Sequence, residues 1–161
     1  MSKRLDTLKA LCDHLAGITP ANGYAHDLTD RVWRGRSSFG AETPIPCLNL
    51  LEPLNPDREP RATDGGRVQK EQWVLLLQGW AVDDDANPTD PAHLLMADVK
   101  KRLAVLMDDG YPAGNPMYML GGKIADLAVE PGTVRPPDEN SARAFFYIRI
   151  VLSYAEDLSD P

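Results

Sequence analysis

The sequence predicts an α+β domain, a mainly antiparallel sheet of about five strands with two helices packed on one face, in the order α-β-β-β-α-β-β. Three observations predict it. Two segments carry apolar residues at helical spacing, and five carry extended or alternating apolar patterns. The strands fall in groups rather than alternating with helices, which is the α+β arrangement rather than the α/β one. At 161 residues the chain fits a single domain, 1–161, able to bury about 70% of its unfolded surface without a disulfide framework or a structural metal.

Ser2 is placed to cap a first helix in which Leu5, Leu8, Leu11, Cys12 and Leu15 recur at helical spacing. Gly17 stands where a helix commonly ends in a left-handed residue. The stretch ITPANGYA is turn chemistry. Val32 and Trp33, inside HDLTDRVWRGR, predict a short strand. Pro44 and Pro46 bracket the start of another, over about 45–52. Residues 53–66, PLNPDREPRATDGG, are rich in proline, glycine and charge and read as a long flexible loop.

A third strand covers 69–82. Its unbroken apolar stretch, Trp73 to Leu77, marks a central strand covered at least partly on both faces. The second helix follows. Asp90 is the expected cap and Pro91 the first helical residue, because a residue before proline avoids helical geometry. Ala92, Leu95, Met96, Val99, Leu103 and Leu106 form its apolar stripe, and Asp98 and Arg102 sit at i, i+4 spacing for an ion pair. Gly121-Gly122 opens a strand over 123–130, ended by Pro131-Gly132. The last strand, 142–154, sets Phe146, Ile148, Ile150, Leu152 and Tyr154 on one face. Two helices cover only part of such a sheet. Part of its other face and its edges are expected to be open, for a partner or further copies of the chain to cover.

Net charge is −7. Residues 1–70 carry ten Lys/Arg against nine Asp/Glu, and residues 71–161 carry seven against fifteen. That balance argues against a general nucleic-acid binder, whose affinity rests on phosphate contacts. The two cysteines, Cys12 and Cys47, read as small buried hydrophobes, with a disulfide between them the less favoured reading. The N-terminus has no apolar core of signal-peptide length, and no apolar run approaches a membrane span, so the product is expected to be cytosolic when made.

Candidate chemistry is sparse. Asp83, Asp84 and Asp85 could offer oxygen ligands to a hard cation. Consecutive residues at a strand end diverge, however, and the spacing of a calcium loop is missing, so a solvated strand exit is the preferred reading, with docking to another protein left open. His14, His26 and His93 have no ligand spacing, and His14 and His93 read as surface residues. Gly121-Gly122-Lys123 reads as a turn. Arg31, Arg34 and Arg36 interleave with Trp33 in the best basic-aromatic patch, and an exposed strand face is its plainer reading. No catalytic, cofactor-binding or metal-binding residue is assigned.

Three stretches resemble the tail terminators, also called tail completion or minor tail proteins, of long-tailed bacteriophages and prophages. They are the opening helix followed by GITPANGYAHDLTDRVWRGR, the strand, acidic link and helix of WVLLLQGWAVDDD and DPAHLLMADVKKRLAVL, and the closing strand FFYIRIVLSYAED. The resemblance lies in length, element order and local flavour. It implies a structural role in the virion without chemistry or cofactor. A ring, usually of six copies, sits on the tail tube, stops polymerisation of the major tail protein and meets the head-tail connector. Genome DNA passes through the ring, no membrane is involved, and the chain is made in the host cytoplasm. The resemblance makes Arg31, Trp33, Arg34, Arg36, Asp83, Asp84 and Asp85 candidates for subunit or tail contacts. It implies that the loops 53–66 and 108–122 become ordered on assembly. A head-tail connector of the same virion is the alternative, and a metal-dependent enzyme built on Asp83–Asp85 is a further one.

Overall fold

The computed structural model describes residues 2–52, 66–139 and 141–161. Helix α1 spans Lys3–Ala16, followed by a short 3-10 turn, Pro20–Asn22. Strands β1 (Val32–Arg34), β2 (Cys47–Leu51) and β3 (Val68–Trp80) precede helix α2 (Asp90–Ala104). A one-turn helix α3 (Met119–Gly122) leads to β4 (Asp126–Val129), β5 (Thr133–Arg135) and β6 (Phe145–Asp157). The class is α+β, as the grouping of strands predicts. The predicted loop at 53–66 lies, apart from Gly66, outside the described residues.

The sheet has six strands ordered β1-β2-β3-β6-β4, with β5 also on β6. It is mixed: β1 runs parallel to β2, and every other pairing is antiparallel. β3 fills one side of β6 along its whole length, so β4 and β5 share the other side. They are two halves of one edge, divided at Pro131–Gly132. The shift from Val129↔Ile150 to Thr133↔Tyr147 carries one extra residue, a bulge at the proline that cannot donate to the ladder. The sequence pattern ends a strand at this proline and misses β5 beyond it.

β3 and β6 pair over 13 residues each, a ribbon about 40 Å long. β2 pairs only with Leu76–Trp80 and β4 only with Ile150–Ser153. The end formed by Val68–Glu71 and Tyr154–Asp157 therefore runs past both neighbours.

Strand parity divides the sheet cleanly. Leu48, Leu50, Leu75, Leu77, Phe146, Ile148, Ile150 and Leu152 face the helices and join Leu11, Leu15, Leu95, Val99, Leu103 and Leu106 in one core. Both helices pack on this face, as expected. Every residue of the α2 stripe except half-buried Met96 is sealed from solvent.

Local details differ from the sequence pattern. Ser2 is the N-cap of α1, its Oγ 3.4 Å from the Leu5 N–H. Gly17 ends the helix at φ −74°, not in the left-handed region. A Cβ there would lie 2.4 Å from Arg102 Nη2, the tip of a long side chain, and 3.1 Å from the His14 carbonyl oxygen. Leu5 is exposed, and Thr7 and His14 are buried in the α1 face. Thr7 satisfies its hydroxyl on the Lys3 carbonyl at 2.9 Å. Asp90 is the first residue of α2 rather than its cap. Thr89 holds the cap position, with no side-chain hydrogen bond. Asp98 and Arg102 do not pair along the helix: each reaches across to the segment around α1, as described below.

Candidate functional site

The sheet face away from the helices is the main candidate surface. Cys47, Trp80, Phe145 and Arg135 run across it in register, and Trp33, Asn49, Gln78, Tyr147 and Thr133 form the adjacent row. One corner is roofed by the chain that follows β1. Gly35 turns at φ 67°, a conformation that suits glycine. Asn49, fully buried, then fixes the next residue: its Nδ2 donates to the Arg36 carbonyl at 2.8 Å, and its Oδ1 accepts the Arg36 N–H at 3.3 Å. Phe39 is thereby laid between Trp33 and Trp80, with ring centroids 5.9 and 4.4 Å apart, and Phe145 continues the row 6.5 Å beyond Trp80. The Arg36 guanidinium stacks on Trp33 at 4.5 Å. All four rings are half-buried. This corner is an aromatic floor with a cationic rim, a combination favoured where a partner must be held.

The predicted patch of Arg31, Trp33, Arg34 and Arg36 is therefore split. Arg36 and Trp33 lie together on the open face. Arg34, one residue from Trp33, points to the opposite face, pairing with Leu50 in register and placing its charge beside Cys12. Arg31 donates to the Ile45 carbonyl at 3.1 Å and braces the turn into β2. Adjacent strand residues face opposite ways, so the four residues cannot act as one surface.

The acid cluster also divides. Asp83 pairs with Arg143 at 3.0 Å, and both side chains are well exposed. Asp84 accepts the N–H groups of Ala86 and Asn87, each at 2.9 Å, and shapes the turn into α2. Asp85 is exposed. The three carboxylates take separate roles and do not converge. Among the described residues no group of three or more His, Cys, Asp or Glu side chains is placed to hold a metal ion.

A second surface lies at the loop 108–122. Between α2 and α3 the chain makes a tightly braced loop. Asn115 Nδ2 donates to the carbonyls of Val105 and Asp108, both at 2.7 Å. Asp108 and Asp109 accept the N–H groups of Gly110 and Tyr111 at 2.9 and 3.0 Å, and the Gly114 N–H reaches the Gly110 carbonyl at 2.8 Å. Tyr111 stands at the tip, 89% exposed, with Met107, Met117 and Tyr118 also exposed along the loop. The loop closes on four successive residues in the left-handed region, Met119, Leu120, Gly121 and Gly122, at φ 48°, 55°, 66° and 80°. For Met119 and Leu120 that conformation costs about 1–2 kcal/mol each. Burial of Leu120 and the 2.8 Å bond from the Met119 N–H to the Leu106 carbonyl hold it in place. These contacts brace the loop within the single chain.

No family model matches the chain, and no curated protein is similar to it.

Two of the three histidines do structural work that spacing alone could not reveal. His14 is not a surface residue. It is sealed between the helices, its Nε2 donating to the Arg102 carbonyl at 2.8 Å while Arg102 Nε returns a 2.7 Å bond to the His14 carbonyl. Its Nδ1 has no partner among the described residues. Burial holds its pKa down at about 4. His26 Nδ1 donates to Asp98 Oδ2 at 2.8 Å, and the same oxygen accepts the N–H groups of Ala25 and His26. That carboxylate pins the segment before β1 onto α2. His93 is exposed, as expected. Cys12 and Cys47 are both free and buried, with the sheet between them, and burial pushes each thiol up to about 11.

Proposed function

We propose that this protein is a structural component of a long phage tail: a terminator that assembles as a ring on the end of the tail tube, stops tube growth and offers the head connector its docking surface. The reading rests on the sequence resemblance. The structural observation that supports it best is the one-sided helix layer, which leaves an aromatic, arginine-rimmed sheet corner on one side and a braced, tyrosine-tipped loop elsewhere. A ring of identical chains needs two different surfaces that complement each other, because head-to-tail contacts join unlike patches. No residue is assigned a catalytic role, and the carboxylates of Asp83, Asp84 and Asp85 are given to an ion pair, a turn and solvent.

Co-purification tests the reading. A terminator is expected to be recovered with tubes of the major tail protein and to decorate their ends. Recovery with the portal side of the head instead would assign the chain to the neck, as a head-tail connector.

A further inference from the structure

The two surfaces described above differ in chemistry in a way that matches them to one another. The loop tip is acidic and aromatic: Asp108 and Asp109 precede Tyr111, which touches little of its own chain at 89% exposure. The sheet corner is basic and aromatic: Trp33, Phe39 and Trp80 form the floor and Arg36 the rim. Burial dominates at the Cys47 thiol on this corner, and the charges of Arg31, Arg36 and Arg143 act against it. The loop springs from the C-terminal end of α2, in the helix layer, whereas the corner lies on the opposite face of the sheet.

We propose that Tyr111, with Asp108 and Asp109, docks onto the Trp33–Phe39–Trp80 corner of a second copy of this chain beside Arg36, joining successive copies head to tail. The proposal rests on the self-assembly part of the function proposed above and names the surfaces that would carry it. Three physical features favour this occupant. An exposed tyrosine on a loop fixed before binding loses little conformational freedom on docking, which is how aromatic anchors give affinity. Two carboxylates approaching an arginine rim are attracted, whereas the acid cluster at Asp83 is already paired with Arg143. The left-handed run Met119–Gly122 holds the loop in a strained conformation, and such strain is concentrated at functional segments. Docking of this kind is heterologous, so repeated copies form a closed ring or an open filament rather than a closed dimer.

The test is disulfide trapping on the full chain. Cys12 and Cys47 are buried and free and do not compete. A chain carrying Ala113→Cys, beside an intact Tyr111, is mixed with a chain carrying Ser37→Cys, beside an intact Arg36, under mild oxidation; both positions are exposed. The control mixture pairs Ala113→Cys with Arg34→Cys, whose thiol sits on the other face of the same strand region. The proposal predicts mixed-disulfide formation about tenfold faster or more in the first mixture, in line with the weight of an interface anchor. Equal rates in the two mixtures overturn it. A chain carrying both Ala113→Cys and Ser37→Cys is expected to give a ladder of oligomers, and a dimer band alone overturns the head-to-tail arrangement.

Sedimentation velocity separates this proposal from the reading beneath it. A wild-type chain that self-associates while the trapping rates stay equal displaces the interface and leaves ring assembly standing. A wild-type chain that stays monomeric at every concentration, in the presence of tail tubes as well as free, removes both. Far-UV circular dichroism of each variant confirms that a lost signal is not a lost fold.

Discussion

His14 and Arg102 each hold the other's backbone: the imidazole Nε2 donates to the Arg102 carbonyl at 2.8 Å, and the Arg102 Nε donates to the His14 carbonyl at 2.7 Å. The pair clamps α1 to α2 beside Gly17, past which the Arg102 side chain runs. It also fixes the charge state of the histidine. The ring is neutral in the fold, and burial beside the Arg102 guanidinium holds its pKa at about 4 against an ordinary 6.5.

A pH dependence follows. The unfolded chain takes up a proton at this ring below pH 6.5, whereas the folded chain resists until about pH 4. The stability this site contributes is therefore complete above pH 6.5 and is lost as pH falls toward 4, by an amount on the order of 3 kcal/mol. Urea unfolding at pH 7.5, 6 and 5 measures it. A His14→Gln chain, which keeps a donor but cannot be protonated in this range, is expected to lose less stability between pH 7.5 and 5 than the wild type.

Gly79 is required by its cross-strand neighbour. The ring of Phe146, fully buried, lies on it, and a Cβ at Gly79 would meet Phe146 Cε1 at 2.3 Å and Leu48 Cδ2 at 2.9 Å. Gly79→Ala is expected to destabilise the chain by about 1–3 kcal/mol through overpacking, read as a lower urea midpoint with an unchanged slope.

Gly122 offers a cleaner test of backbone strain. A Cβ there meets nothing within 4 Å, yet its φ is 80°. Gly122→Ala should cost about 1–2 kcal/mol from conformation alone. If the left-handed run positions Tyr111, the variant should also show faster amide exchange across residues 108–118, measured by mass spectrometry.

Both thiols should be silent in the fold. Cys12 and Cys47 are buried with pKa values raised to about 11, so little thiolate is present or accessible at pH 8. A colourimetric thiol reagent is expected to detect neither in native protein within minutes and both in denaturant. Reaction of one thiol in the native protein would show that its side of the sheet opens.

Much of this fold is legible in the residues themselves. The α2 stripe from Ala92 to Leu106 and the alternation from Phe146 to Tyr154 are long periodic signals, and both faces appear where the periods place them. β5 was not legible, because three residues between Pro131-Gly132 and Pro136-Pro137 carry no periodic signal. Its existence depends on pairing with Phe145–Tyr147 of β6. The burial of His14 was hidden for a similar reason, since its partner lies 88 residues away. The misplacement of Arg34 is different. Strand parity alone puts it opposite Trp33, so this part of the candidate surface could have been corrected from the sequence. The loop around Tyr111 reads as plain turn chemistry, and nothing in its composition announces how firmly Asn115 and the left-handed run hold it.

The most direct test of the assembly role is negative-stain microscopy of virions produced without this chain. The account predicts tails longer than wild type and lacking heads, with normal length and head attachment restored by the wild-type chain. Tails of normal length joined to heads in the absence of this chain would contradict it.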